Sequence, residues 1–348
     1  MDNRYYFDKE LLKKNINTWE NSLLNKNLTK EQKESLIECI SYFKSYLIGK
    51  KVTPTIKEVK LSNILGKMKK DFNSIDKRLF GYINSLENLL EYNLYDESYY
   101  SDTIPSRIVN NSLEIYSEFL PGLYNTAINF INDDRHLINF SSNTNLRSIC
   151  IKPIGVQTPF VNVSDYKRRP IIFIHELQHA VEIKKKYRIH EYSSETVPIL
   201  LETLYIDKMI ENKDFKSVNL YYDRINSTLL ELRKLNAYFS SLQDLEKYNF
   251  EVSKHKLVNI LIANKFIKNE NRYLGAYNFD MKLALNYINS FIKSINIRSM
   301  FYEDKKRGRK FLENFWEAEY VGFNSVLLSS MSFENYLKEI EQKKKILK

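Results

Sequence analysis

Seven prolines stand between Pro54 and Pro198, and none follows in the remainder of the 348-residue chain. Proline removes a backbone donor and clashes with the preceding helical turn, so a long stretch without it is open to continuous helix. That stretch holds only Gly275, Gly308 and Gly322 as further weak points. Its apolar residues recur at helical spacing, as in Leu201, Leu204, Tyr205 and Ile210. The C-terminal part is therefore expected to be almost wholly helical. The N-terminal part also reads as helices, with an apolar stripe of Leu11, Leu12, Ile16, Trp19 and Leu23. Capping-box patterns start at Thr29 and Thr55, each with a glutamate or glutamine three residues on. Between about 137 and 163 the texture changes. Leu137–Phe140, Ser148–Ile151 and Phe160–Val163 are short β-type runs divided by Asn, Gly and Pro, which predicts a small sheet inside a mainly α fold.

Composition narrows the function classes. Hydrophobic residues make up 43% and aromatics 14%, enough to exclude a disordered chain. No apolar run has the length of a membrane span, and the N-terminus lacks an apolar signal core, so a soluble, cytoplasmic protein without membrane partners is expected. Cys39 and Cys150 cannot form a disulfide framework and read as small buried apolar groups. The net charge of +10 is spread over scattered runs such as Lys184–Lys186 and Lys343–Lys345, with no nucleic-acid motif around them. Surface solvation accounts for it, and no nucleic-acid partner is expected.

Directly after the last strand-like run, and after Pro170 as a helix-start residue, comes Ile174-His175-Glu176-Leu177-Gln178-His179-Ala180. Four residues on an α-helix turn through about 400°, which puts His175 and His179 one above the other, able to reach a single tetrahedral zinc. Glu176 lies roughly 100° around, placed to act on a water at that zinc rather than to bind the metal. Five histidines among 348 residues would give this H-E-x-x-H pattern by chance in under about one such chain in a hundred, so one zinc per chain is expected. His136 and His255 have no partner at ligand spacing and read as structural or surface groups.

A catalytic zinc needs a third protein ligand and an open fourth position. Ser193, Ser194 and Pro198 mark the start of a second helix, on which Glu195 and Glu202, two turns apart, share a face. Glu195 is the expected third ligand, with Glu202 as a carboxylate orienting one histidine. His190, Glu191 and Glu202 are the alternatives for the third position. Tyr273 and Tyr277 are four apart, so both phenols could reach the metal and steady an oxyanion, or the pair could simply pack.

The run Pro159-Phe160-Val161-Asn162, then H-E-L-Q-H-A, then Glu195 to Glu202, resembles the thimet oligopeptidase and oligoendopeptidase F family of zinc peptidases. Arg272–Tyr277 is similar to the family's tyrosine-rich segment facing the zinc, and Leu327-Leu328 with Phe333–Leu337 to its closing helices. Gln178 stands where the family usually has glycine. The resemblance implies a helical zinc peptidase with a small sheet beside the metal helix. It also implies internal cutting of short or unstructured peptides, with Tyr273 or Tyr277 holding the oxyanion. Glu176 is the expected general base. A catalytically inactive binding or regulatory protein derived from such a peptidase is the alternative. The expected division is an N-terminal helical region, 1–105, and a catalytic region, 106–348, or one compact unit.

Overall fold

A computed structural model of the chain describes residues 9–24, single positions and pairs between 28 and 47, 59–75, 77–91, 99–133, 138–141, 148–151, 159–187 and 194–317. Five helices precede the sheet: α1 (Lys9–Ser22), α2 (Leu61–Ser74), α3 (Arg78–Glu91), α4 (Pro105–Phe119) and α5 (Pro121–Ile131). Both α4 and α5 open on a proline, whose missing N–H would have had no helical partner there in any case. Strands β1 (Ile138–Ser141), β2 (Ile149–Ile151) and β3 (Phe160–Ser164) follow. After them come α6 (Ile172–Lys185), α7 (Thr196–Glu211), α8 (Val218–Glu246), α9 (Lys254–Ala263), the single turn α10 (Gly275–Asn278), α11 (Met281–Glu303) and α12 (Lys305–Glu317). The mainly α fold with a small sheet is the one the proline distribution and the β-type runs predict. Residues 31, 32 and 55–58 of the capping boxes, His136, Cys39, His190, Glu191 and the segment from Leu327 to Leu337 lie outside the described residues.

The sheet order is β1-β3-β2, with β1 parallel and β2 antiparallel to the central β3. All five residues of β3 are buried, and Asn139 Nδ2 of β1 donates to Asn162 Oδ1 of β3 at 2.6 Å, joining two buried polar side chains across the strands. From β3 the chain reverses through Asp165, whose φ of 51° lies in the left-handed region that short polar side chains tolerate. Its carbonyl accepts from the backbone N–H of Arg168 and Arg169, and α6 starts just beyond.

Helix α7 is central, packed against α4, α6, α8 and α11. Every residue from 196 to 207 is buried, which for Leu200, Leu201 and Leu204 contributes about 1.5–3 kcal/mol each. A chain this poor in glycine ends its helices with other residues. Lys186, Lys213, Asn249 and Lys265 all take positive φ where glycine is usual, and the Lys186 N–H closes the last turn of α6 onto Glu182 and Ile183. One core runs from Ile64 to Trp316. A smaller one joins Leu12, Ile16, Trp19, Leu36, Ile40 and Phe43 to Phe160 of β3.

Candidate active site

The face of α6 that looks across to the start of α7 carries His175, and one turn on, His179. Glu195 stands at the N-terminal boundary of α7, where its carboxylate makes no capping bond to the helix. It turns instead toward the histidines: its Oε2 lies 3.0 Å from His175 Nε2 and 3.3 Å from His179 Nε2. These are ion-pair distances, yet the buried oxygen has no hydrogen bond of acceptable angle. Neighbouring corners of a tetrahedron with arms of about 2.0–2.1 Å are about 3.3 Å apart, so the spacing fits three ligands converging on a zinc-sized ion better than it fits hydrogen bonding. Among the described residues, His175, His179 and Glu195 are the one group able to hold a metal.

The electrostatics favour a cation at this point. Burial alone would lower the His175 pKa, but the Glu202 and Glu195 carboxylates outweigh it and hold it up at about 10. His179 is raised too, because Glu195 overcomes its burial. Burial would raise Glu195, yet the two imidazoles beside it bring it well below the usual carboxylate range. Glu202, two turns along α7 and 0% exposed, approaches His175 Nδ1 at 2.7 Å and pairs on its other oxygen with Arg224 of α8. His175 is thereby held from the side opposite Glu195, the arrangement that fixes the tautomer of a metal-binding imidazole.

Glu176, one residue on from His175, opens instead onto a cavity of about 570 Å³ that His175, Arg169, Arg224, Thr228 and Tyr287 also line. Burial raises its pKa, the two histidines partly offset that, and the Cys150 backbone N–H of β2 bonds its carboxylate. The antiparallel edge strand therefore steadies this group. Half-buried Cys150 has its own thiol pushed up, by burial first and then by Glu176 and Glu182.

Several site residues escaped the sequence reading. Tyr287 of α11 lines the cavity, and burial, reinforced by the Glu195 carboxylate, raises its pKa and keeps its hydroxyl protonated. Glu182 lies three residues beyond His179, a helical spacing that was available as a signal, with its Oε2 3.8 Å from His179 Nδ1. Its other oxygen accepts from Gln178 at 2.9 Å and Trp316 at 3.3 Å, and Tyr116 donates to Gln178 at 2.8 Å. Burial raises Glu182 to about 7 against the pull of His179 and these donors. Tyr273 and Tyr277 are not in the cavity lining. The Tyr273 ring lies under Lys254 Nζ, 4.4 Å from its centroid, and Tyr277 is 36% exposed on α10, which packs against α2. His255 sits on the surface near Asn259, as expected of it.

No family model matches the chain, and no curated protein does. Among solved structures it is similar to one described as "a putative oligoendopeptidase F from Bacillus anthracis str. Ames", with a TM-score of 0.51 and 14% identity over 89% of this chain and 62% of the other. A second, described as "putative Oligoendopeptidase F", aligns over 96% of this chain and 65% of the other at 11% identity, with a TM-score of 0.45. The chain thus spans less than two thirds of the length of either. No helix among the described residues is long and apolar enough to cross a membrane. The likeness shows the fold alone: a mainly helical architecture with a small sheet beside the H-E-x-x-H helix, shared with the first of these structures.

Proposed function

We infer that the protein is a zinc-dependent peptidase that cuts short or unstructured peptides internally, with His175, His179 and Glu195 as metal ligands. The convergence of these three side chains at tetrahedral spacing, with Glu176 beside them on an open cavity, carries the reading. When bound, the zinc would acidify a water and polarise the scissile carbonyl. Glu176 takes the water proton as the oxygen bonds to the carbonyl carbon, then delivers it to the amine nitrogen as the C–N bond breaks. Its raised pKa suits both halves of that exchange. The neutral Tyr287 hydroxyl donates to the carbonyl oxygen as charge gathers there, the part that the resemblance gave to Tyr273 or Tyr277. Glu202 keeps His175 oriented while Arg224 offsets its charge.

Metal analysis of the purified protein, combined with digestion of an unstructured peptide with and without chelator, tests the reading. Bound zinc, internal cuts and loss of cutting on chelation are expected. Bound zinc without hydrolysis of any peptide would favour the inactive binding protein instead.

A further inference from the structure

Glutamate is a poor residue with which to begin a helix, because its longer side chain does not fold back onto the first N–H groups as serine, threonine or aspartate does. At the head of α7 the Glu195 carboxylate is spent on the histidines and caps nothing. The segment must then be held from outside. Three side-chain hydrogen bonds lead from one side of Glu195 to the other by way of α11. Thr196 donates to Ser290 at 3.2 Å, Ser290 donates to Asn286 Oδ1 at 3.1 Å, and Asn286 Nδ2 donates to Ser194 Oγ at 2.7 Å. Thr196 and Ser290 are 0% exposed and Asn286 is 2% exposed, in the interface between α7 and α11. Ordinary stability does not call for this arrangement, since an apolar set of the same shape could replace paired buried polar groups at little cost. Its two ends are the residues flanking Glu195, and Tyr287 follows Asn286 directly.

We propose that Asn286 and Ser290 are positioning residues that clamp the segment 194–196 so that Glu195 is pre-set as a ligand. The clamp also fixes the helix carrying Tyr287 at a set distance from that ligand. The proposal rests on Glu195 being a ligand, and the test separates the two claims.

Zinc affinity is measured by competition with a chromogenic chelator for the unchanged chain and for Thr196→Val, Thr196→Ser, Asn286→Ala and Glu195→Ala. The visible absorption of the cobalt(II)-loaded forms reports ligand geometry. Thr196→Val and Asn286→Ala are expected to weaken zinc binding by about 10- to 100-fold, the range for groups that orient a ligand, and to alter the cobalt spectrum. Thr196→Ser, which keeps the hydroxyl, is expected to restore both. Because the bonds form one series, the double variant Thr196→Val/Asn286→Ala loses little more than either single one. Unchanged zinc binding in Glu195→Ala overturns the ligand assignment. Loss in Glu195→Ala with unchanged binding in Thr196→Val and Asn286→Ala overturns the clamp alone, as does a Thr196→Ser variant as weak as Thr196→Val. If Asn286→Ala does not fold, the threonine pair decides.

Discussion

Two stretches carry resemblance to the same peptidase family, and the structure treats them differently. The first, carried by α6 and α7, forms two helices buried on nearly every side, with the charged groups His175, His179, Glu195 and Glu202 facing one another across them. The second, from Arg272 to Tyr277, forms a short turn and a single helical turn with Tyr277 exposed. Burial makes the difference. Inside the core an unmatched carboxylate or imidazole costs several kcal/mol, so His175, Glu195 and Glu202 must be where their partners are. Near the surface a phenol is satisfied by water, so nothing fixes Tyr277 toward the cavity. Motif resemblance predicts the placement of side chains more securely where they cannot be solvated.

Substitutions can break this contrast. The largest effect is expected from Glu176→Gln, which keeps the ligands and removes the base: peptide turnover falls by about 10²- to 10⁴-fold with zinc content unchanged by metal analysis. Retention of more than about a tenth of the turnover excludes Glu176 from proton transfer. Next comes Tyr287→Phe, expected to lower kcat by about 10²- to 10³-fold, while Tyr273→Phe and Tyr277→Phe each stay within about twofold. The reverse outcome, with Tyr277→Phe inactive and Tyr287→Phe normal, would mean that α10 folds over the cavity when substrate binds. Glu202→Gln should weaken zinc by about 10- to 100-fold in chelator competition, through the freed His175 ring and the unpaired Arg224. Smallest is Gly275→Ala. A Cβ there meets Ile267 at an ordinary 3.9 Å, so a melting curve should show a gain of about 0.4–1 kcal/mol, with turnover unaltered.

Local spacing made the two histidines, Glu176 and the Glu195–Glu202 pair readable in the sequence, because helix geometry alone puts each set on one face. The three strands were readable from their β-branched and aromatic runs between turn residues, and all lie within a residue or two of where those runs stand. Tyr287 was not readable. It is one of 25 tyrosines, on a helix more than a hundred residues beyond the metal motif, and only the docking of α11 against α7 brings it to the cavity. Arg224 was hidden for the same reason: its value lies in meeting Glu202 across a helix interface, and no spacing along the chain records that meeting. Gln178, noted as a departure from glycine, occupies that position because Tyr116 and Glu182 both bond it.

Strand β3 belongs to two cores at once. Val161 and Val163 face the large one, while Phe160 packs edge-on against Trp19 and Phe43 of the small one, at ring separations of 6.3 and 5.6 Å. A chain shortened to begin at residue 59 would lose every other member of that smaller cluster and bare an aromatic side chain on the central strand. Such an apolar face invites association between molecules. The N-terminal helices would then be needed to keep the protein in solution before they were needed for any step of its chemistry.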